Sequence, residues 1–150
     1  MYHAIVKRQL RRAFRDLGRG NYETILAGMA PRFEHVFFGE HPLGGTRHSG
    51  RAYRLWFERL ARLFPGLGFE VRNIVVNGWP WDTVAAVEWI DRLTTRDGQP
   101  QQNVGVHIIR MRWTKVTEIR IYCDNQRLAA ICERQAQLGV AEAAAPFITD

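Results

Sequence analysis

After Phe64 the hydrophobic period of this chain changes from helical to extended, and that change limits the fold more than any other feature. Before Phe64 the apolar residues recur mostly at helical spacing, as in Val6, Leu10, Ala13, Phe14 and Leu17; from Phe69 to Cys123 they alternate as in extended strands. The first pattern predicts an amphipathic helix over Tyr2 to Leu17, ended by Gly18 and Gly20. Asn21 can cap a second, short helix over Tyr22 to Met29 that Pro31 closes. Phe33 to Phe38 reads as a short extended segment. Gly39 to Gly50 is rich in turn formers and reads as a loop of fixed conformation. A third helix is expected from Arg51 to Phe64, with Tyr53, Trp56, Phe57, Leu60, Leu63 and Phe64 on a broad apolar face and Pro65-Gly66 as its stop.

Beyond the switch, four strands are expected: Phe69 to Asn77, Thr83 to Thr94, Gln101 to Arg112 and Lys115 to Cys123. Their connections are too short for helical crossovers, so they should pair antiparallel. Asp124 or Asn125 can cap a last helix, Gln126 to Gln137, which an Ala-rich tail follows. Helices first and strands after is the α+β pattern, with helices gathered on one face of an antiparallel sheet. A strongly curved sheet wrapped over a long helix leaves a hollow between them. Nothing repeats along the chain, so a single domain over 1–150 is expected, with its core at about 3–137 and a tail at 138–150.

Composition excludes several classes. An apolar content of 46% is ample for a packed core. No apolar run approaches the roughly 20 residues that cross a bilayer, and the first residues, MYHAIVKRQLRRAF, lack the apolar stretch of a secretory signal. A cytoplasmic protein without a membrane partner is therefore expected. Cys123 and Cys132 lack any ligand spacing and should be reduced, mostly buried thiols. The net charge of +6 invites a nucleic-acid reading, since Lys7, Arg8, Arg11, Arg12, Arg15 and Arg19 cover one side of the first helix. No nucleic-acid motif accompanies them, and a solvated helix face is the expectation. The histidines show no HxH or HExxH spacing, so neither a metal nor an organic cofactor is expected.

Strand alternation picks out a site. Asn103 and His107 share one face with Gly105, Ile109 and Met111, and the next strand sets Ile119, Ile121 and Cys123 on its apolar face. Polar groups buried on such a face cost about 1–3 kcal/mol each unless partnered. His107 is thus either a core histidine satisfied by Asn103 or a carboxylate, or a group that meets a ligand. His41 can be a general base near neutrality, or a loop residue tied to its own backbone. Tyr53, Trp56 and Phe57 can wall a pocket or simply fill a core, and Asp91, on one face with Trp89, can be a pocket acid or a cross-strand partner for an arginine.

The Gly20-Asn21 turn, the Gly50 that opens a helix ending in Phe64-Pro65, and the strand Lys115-Val-Thr-Glu-Ile-Arg-Ile-Tyr-Cys-Asp124 together resemble a SnoaL-like domain of the NTF2-like superfamily, from about residue 3 to residue 137. The resemblance implies a cystatin-like cone, a curved antiparallel sheet wrapped over N-terminal helices, and a homodimer, with Arg110, Arg112 and Arg120 available to line a subunit interface. Its relatives include ketosteroid isomerases, polyketide cyclases and limonene epoxide hydrolases. Where ketosteroid isomerase carries an Asp-Pro base this chain has His41-Pro42, and where that enzyme holds a protonated Asp as oxyanion donor this chain has His107. The isomerase's first-helix tyrosine has no counterpart around Ala13. Epoxide hydrolases need an Asp-Arg-Asp set; Trp89, Asp91 and Ile121 depart from it.

Two functions are therefore expected. One is a cofactor-independent isomerase- or cyclase-type enzyme for a small apolar carbonyl compound, with His41 as base and His107 as donor. Its substrate would be held by Tyr53, Trp56, Phe57, Trp89, Asp91, Asn103, Ile109, Met111, Ile119, Ile121 and Cys123. The other is a non-catalytic ligand-binding or dimerisation module, with both rings tied to protein partners or the hollow filled.

Overall fold

A computed structural model describes residues 1–150. Three helices and two strands come first: α1 (Tyr2–Gly18), α2 (Tyr22–Ala27), β1 (Met29–Phe37), β2 (Gly45–Arg47) and α3 (Gly50–Leu63). The strands β3 (Gly68–Trp79), β4 (Asp82–Thr94), β5 (Pro100–Arg112) and β6 (Lys115–Cys123) follow, then α4 (Asn125–Gln137) and a 3-10 turn at Ala141–Ala144. Each of the four strands expected after the period switch is present, as are both long helices before it.

All six strands make one sheet in the order β2-β1-β6-β5-β4-β3. The pairs β3–β4, β4–β5 and β5–β6 are antiparallel, with Val87 opposite His107 and His107 opposite Ile121. One pair departs from the expected antiparallel sheet: β1 runs parallel to β6, with His35 opposite Ile119 and Phe37 opposite Ile121. No tight turn joins these two strands, because α3 and four further strands intervene, so a short connection does not dictate their direction.

The reading of Pro31 as a helix stop needs correction. α2 already ends at Ala27, and Pro31 lies within β1. It sits between Met29 and Glu34, where the register with β6 shifts, and there its missing N–H breaks no ladder bond. The supposed loop 39–50 likewise contains a short strand, β2, which pairs with the end of β1.

Both long N-terminal helices lie over the concave face of the sheet. α1 buries Val6, Leu10 and Phe14, and α3 buries Tyr53, Trp56, Phe57, Leu60 and Leu63 against the apolar side of the strands. Each such side chain contributes about 1.5–3 kcal/mol when fully withdrawn from water. Ser49 caps α3 by accepting the Ala52 N–H at 3.1 Å, and Asp124 caps α4 by accepting the Arg127 N–H at 3.0 Å. The tail is fastened rather than free: Arg59 donates to the Pro146 carbonyl at 2.6 Å, Arg47 to the Ile148 carbonyl at 2.7 Å, and the Asp150 carboxylate accepts from the His48 and Ser49 N–H groups. Both cysteine thiols are free, and burial pushes each up to about 12. No helix is long and apolar enough to cross a membrane.

Candidate functional site

Between α1, α2, α3 and the sheet lies a cavity of 380 Å³. Its walls are apolar: Leu10, Phe14 and Leu17 from α1, Tyr53, Trp56 and Phe57 from α3, and Ile109, Met111 and Ile119 from the sheet. The exposed side chains that border it, Gln9, Arg12, Thr24 and Thr114, mark a mouth between α1, α2 and the β5–β6 turn. Asp16, half-buried, is the carboxylate on its lining; its oxygens accept from Asn21 Nδ2 at 3.4 Å and from the Thr24 hydroxyl at 3.3 Å.

Two histidines interrupt the apolar wall. His107 stands on β5, where alternation points it inward, and its Nδ1 accepts the Trp89 Nε1–H at 2.8 Å. His35 stands on β1, and its Nδ1 accepts the Arg47 Nε–H at 3.0 Å. An imidazole whose Nδ1 is an acceptor carries its proton on Nε2. Only one fully enclosed side-chain nitrogen or oxygen lacks a partner, and it is His41 Nδ1. The Nε2 atoms of His35 and His107 and the Tyr53 hydroxyl, which have no protein partner, therefore reach the open space of the cavity.

Burial sets the protonation states. It lowers His107 to about 3. It also holds His35 well below its ordinary range, assisted by the positive charge of Arg47 and then by the proximity of His107. Burial likewise raises the Tyr53 phenol, which stays protonated. At neutral pH the cavity thus presents two neutral N–H donors and one O–H, with no buried charge facing them except through Arg47. The His35 ring is further clamped between Tyr53, at 4.3 Å, and Trp56, at 4.6 Å between ring centroids, while Phe14 meets His107 edge-on at 5.0 Å.

The expected site residues divide. His107, Tyr53, Trp56, Phe57, Ile109, Met111 and Ile119 line the cavity. Trp89, Asp91, Asn103, Ile121 and Cys123 border a smaller inner chamber of 40 Å³, which shares Leu17, Trp56 and His107 with the main one. There Asn103 bridges rather than waits for a ligand: its N–H donates to Asp91 Oδ1 at 2.9 Å and its Nδ2 to the Asp124 carbonyl at 3.2 Å. Burial raises Asp91 to about 6.

His41 is not brought to this cavity. Its Nε2–H donates to the Phe38 carbonyl at 3.1 Å, three residues back, and it borders a shallow depression with Ala143 to Phe147 of the tail. The expected pairing of His41 and His107 over one void is therefore corrected: the second histidine lining the cavity is His35, on the same sheet wall as His107 with β6 between them. The physical reason is that the loop after β1 folds back on its own backbone, whereas β1 itself carries His35 inward.

His35 and Arg47 were both missed in the sequence. The signal for His35 was present in Phe33, His35 and Phe37, which put a histidine on an otherwise apolar strand face, as Gly105, His107 and Ile109 do for His107. Arg47 had no such signal, since a turn-rich segment hides the fact that its guanidinium is fully buried.

The profile of the SnoaL-like domain family matches residues 10–119. Among solved structures, PrhC from Penicillium brasilianum superposes with a TM-score of 0.73 at 20% identity, over 90% of this chain and 91% of its own. IdmH from Streptomyces antibioticus, described as a candidate polyketide cyclase, gives 0.65 at 18% identity, over 80% and 92%. TerC, crystallised with polyporic acid, gives 0.64 at 22% identity, over 74% and 85%. No curated protein sequence matches the chain. With the family profile covering most of the chain and the NTF2-like, cystatin-like architecture present in its neighbours, the protein belongs to the SnoaL-like domain family.

Proposed function

We propose that the protein takes a small, largely apolar carbonyl or phenolic compound into the cavity and promotes proton transfer on it, in the manner of an isomerase or cyclase. The observation that carries this reading is the pair of cavity-facing Nε2–H groups of His35 and His107, each fixed in its tautomer by a donor to Nδ1. Removal of a proton beside a carbonyl moves charge onto oxygen, and fixed neutral donors in a water-poor pocket favour that enolate. Since both Nδ1 lone pairs are engaged, neither imidazole is a ready base. The carboxylate of Asp16 is the group assigned to accept the proton, and the Tyr53 hydroxyl is a third donor. The fold is shared with IdmH, described as a candidate polyketide cyclase, and with TerC, whose co-crystallisation with polyporic acid supplies a probe.

The test is binding of polyporic acid and of 2-tetralone by calorimetry, followed by exchange of the tetralone α-protons in D₂O by NMR. Exchange faster than in buffer is expected, with His107→Phe costing about 10²–10³-fold, the usual effect of losing one oxyanion donor. Asp16→Asn should lower exchange while leaving binding in place. Failure of both compounds to bind would remove the reading. Binding without exchange would favour a second reading, a non-catalytic carrier, for which the engaged Nδ1 atoms are the specific support.

A further inference from the structure

Three tryptophans lie on the outside of the molecule. Trp79, Trp81 and Trp113 are 63%, 55% and 67% exposed. They sit at the tips of two neighbouring hairpins, β3–β4 and β5–β6, which the Trp113 N–H clamps together by donating to the Pro80 carbonyl at 2.6 Å. The indoles form a continuous platform: Trp79 stacks on Trp81 at 6.0 Å and 11°, and Trp81 meets Trp113 at 6.2 Å. Trp113 and Thr114 hold φ values of 49° and 71°, a left-handed conformation unfavourable for bulky and β-branched side chains. The tight turn would form more readily with glycine, so its geometry is not what calls for an indole there.

The platform continues onto α1. Tyr2 bonds Thr83 at 2.5 Å and the His3 ring bonds the Gly78 carbonyl at 2.8 Å, which brings the exposed Met1 and Ile5 beside the hairpins. Further along α1, Lys7, Arg8, Arg11 and Arg15 are exposed, as is Arg112 at the end of β5. Thr114, the neighbour of Trp113, borders the cavity mouth.

We propose that this face docks on an anionic phospholipid bilayer, with the three indoles seated at headgroup level, the cations of α1 and Arg112 held against the lipid charge, and the cavity mouth turned toward the membrane. Indole rings partition to the bilayer interface because one body is apolar and one N–H is wet. Clustered cations are drawn to the anionic leaflet. A second copy of this chain is a poorer occupant, since it would set one surface of a +6 protein against another. The expectation of no membrane partner rested on the lack of a spanning segment, and surface docking needs none. This inference goes beyond the cavity reading, and its test uses no cavity ligand, so either can fail alone.

The experiment is sedimentation of the full chain with sucrose-loaded vesicles of phosphatidylcholine containing phosphatidylglycerol, against phosphatidylcholine alone. Binding is expected on the anionic vesicles, weakening as salt rises, with a blue shift of tryptophan emission and quenching by brominated lipid. The triple substitution Trp79→Ser, Trp81→Ser, Trp113→Gly should lower the partition coefficient about tenfold or more, and Arg8→Gln, Arg11→Gln and Arg15→Gln about fivefold per charge. Glycine suits the backbone at position 113, and circular dichroism reports whether the variants keep the fold. If they do not, lipid quenching of the unmodified protein decides. The proposal is overturned by three results: no binding to anionic vesicles, binding that the tryptophan substitutions leave unchanged, or a wild-type dimer that the same substitutions dissociate.

Discussion

The Nε–H of Arg47 donates to Nδ1 of His35 at 3.0 Å, and this one contact joins a fully buried cation to a cavity histidine. The remaining donors of Arg47 go to the carbonyls of Gly44, Gly45 and Ile148, and burial lowers the guanidinium to about 10. A lysine at this position has no fork to reach His35 and three carbonyls at once. Arg47→Lys is therefore expected to destabilise the fold by about 1–3 kcal/mol, read by chemical denaturation. It should also release the His35 tautomer, read by ¹⁵N NMR of the ring. A variant that kept both stability and tautomer would show that Arg47 does not position His35.

The two buried histidines give the fold an acid limit. In the folded chain both lie below the ordinary value of 6.5, His107 at about 3. Below pH 6.5 the unfolded chain takes up protons that the folded chain refuses, so stability is complete above that pH and falls as the pH drops. The slope should reach about 1.4 kcal/mol per pH unit for each histidine. Urea titrations across that range measure it, and His107→Gln should make the slope shallower.

Asp91 acts in the opposite direction. Its folded carboxyl sits at about 6 against an ordinary 3.8, so between those values the folded chain keeps a proton that the unfolded chain has lost, and stability falls as pH rises. Above pH 6 the charge is carried at full cost. Asp91→Asn keeps an oxygen to accept the Asn103 N–H and is expected to stabilise the protein at pH 7.5 by about 1–3 kcal/mol, with little gain at pH 3.5. Equal effects at both pH values would mean that the carboxylate charge is not the cause.

Gly105 makes room for the residue that orients His107. A Cβ built there would lie 2.5 Å from the Trp89 ring and 2.6 Å from the Tyr122 carbonyl. Gly105→Ala should therefore cost about 1–3 kcal/mol through overpacking and move Trp89 off His107. Trp89→Phe should remove that bond without the clash, leaving His107 a mixture of tautomers by ¹⁵N NMR. If the Nε2–H tautomer persists in both, Trp89 does not set it.

Much of this protein was legible in the residues. The switch of period near Phe64 determined which segments are helix and strand, because apolar spacing of either kind is satisfied only by burying one face. Short connections then determined the antiparallel order of β3 to β6, and alternation along β5 placed His107 inward. Tertiary structure decided what spacing leaves open: the parallel pairing of β1 with β6, the seating of Pro31 in a register shift, and the exchange of His41 for His35 as the second cavity histidine. It also decided the burial of Arg47, whose partners lie as far away as Ile148. Local patterns report which face of a segment is buried; which polar groups meet inside depends on contacts between residues distant in the chain, and those exist only once the sheet has closed over α1.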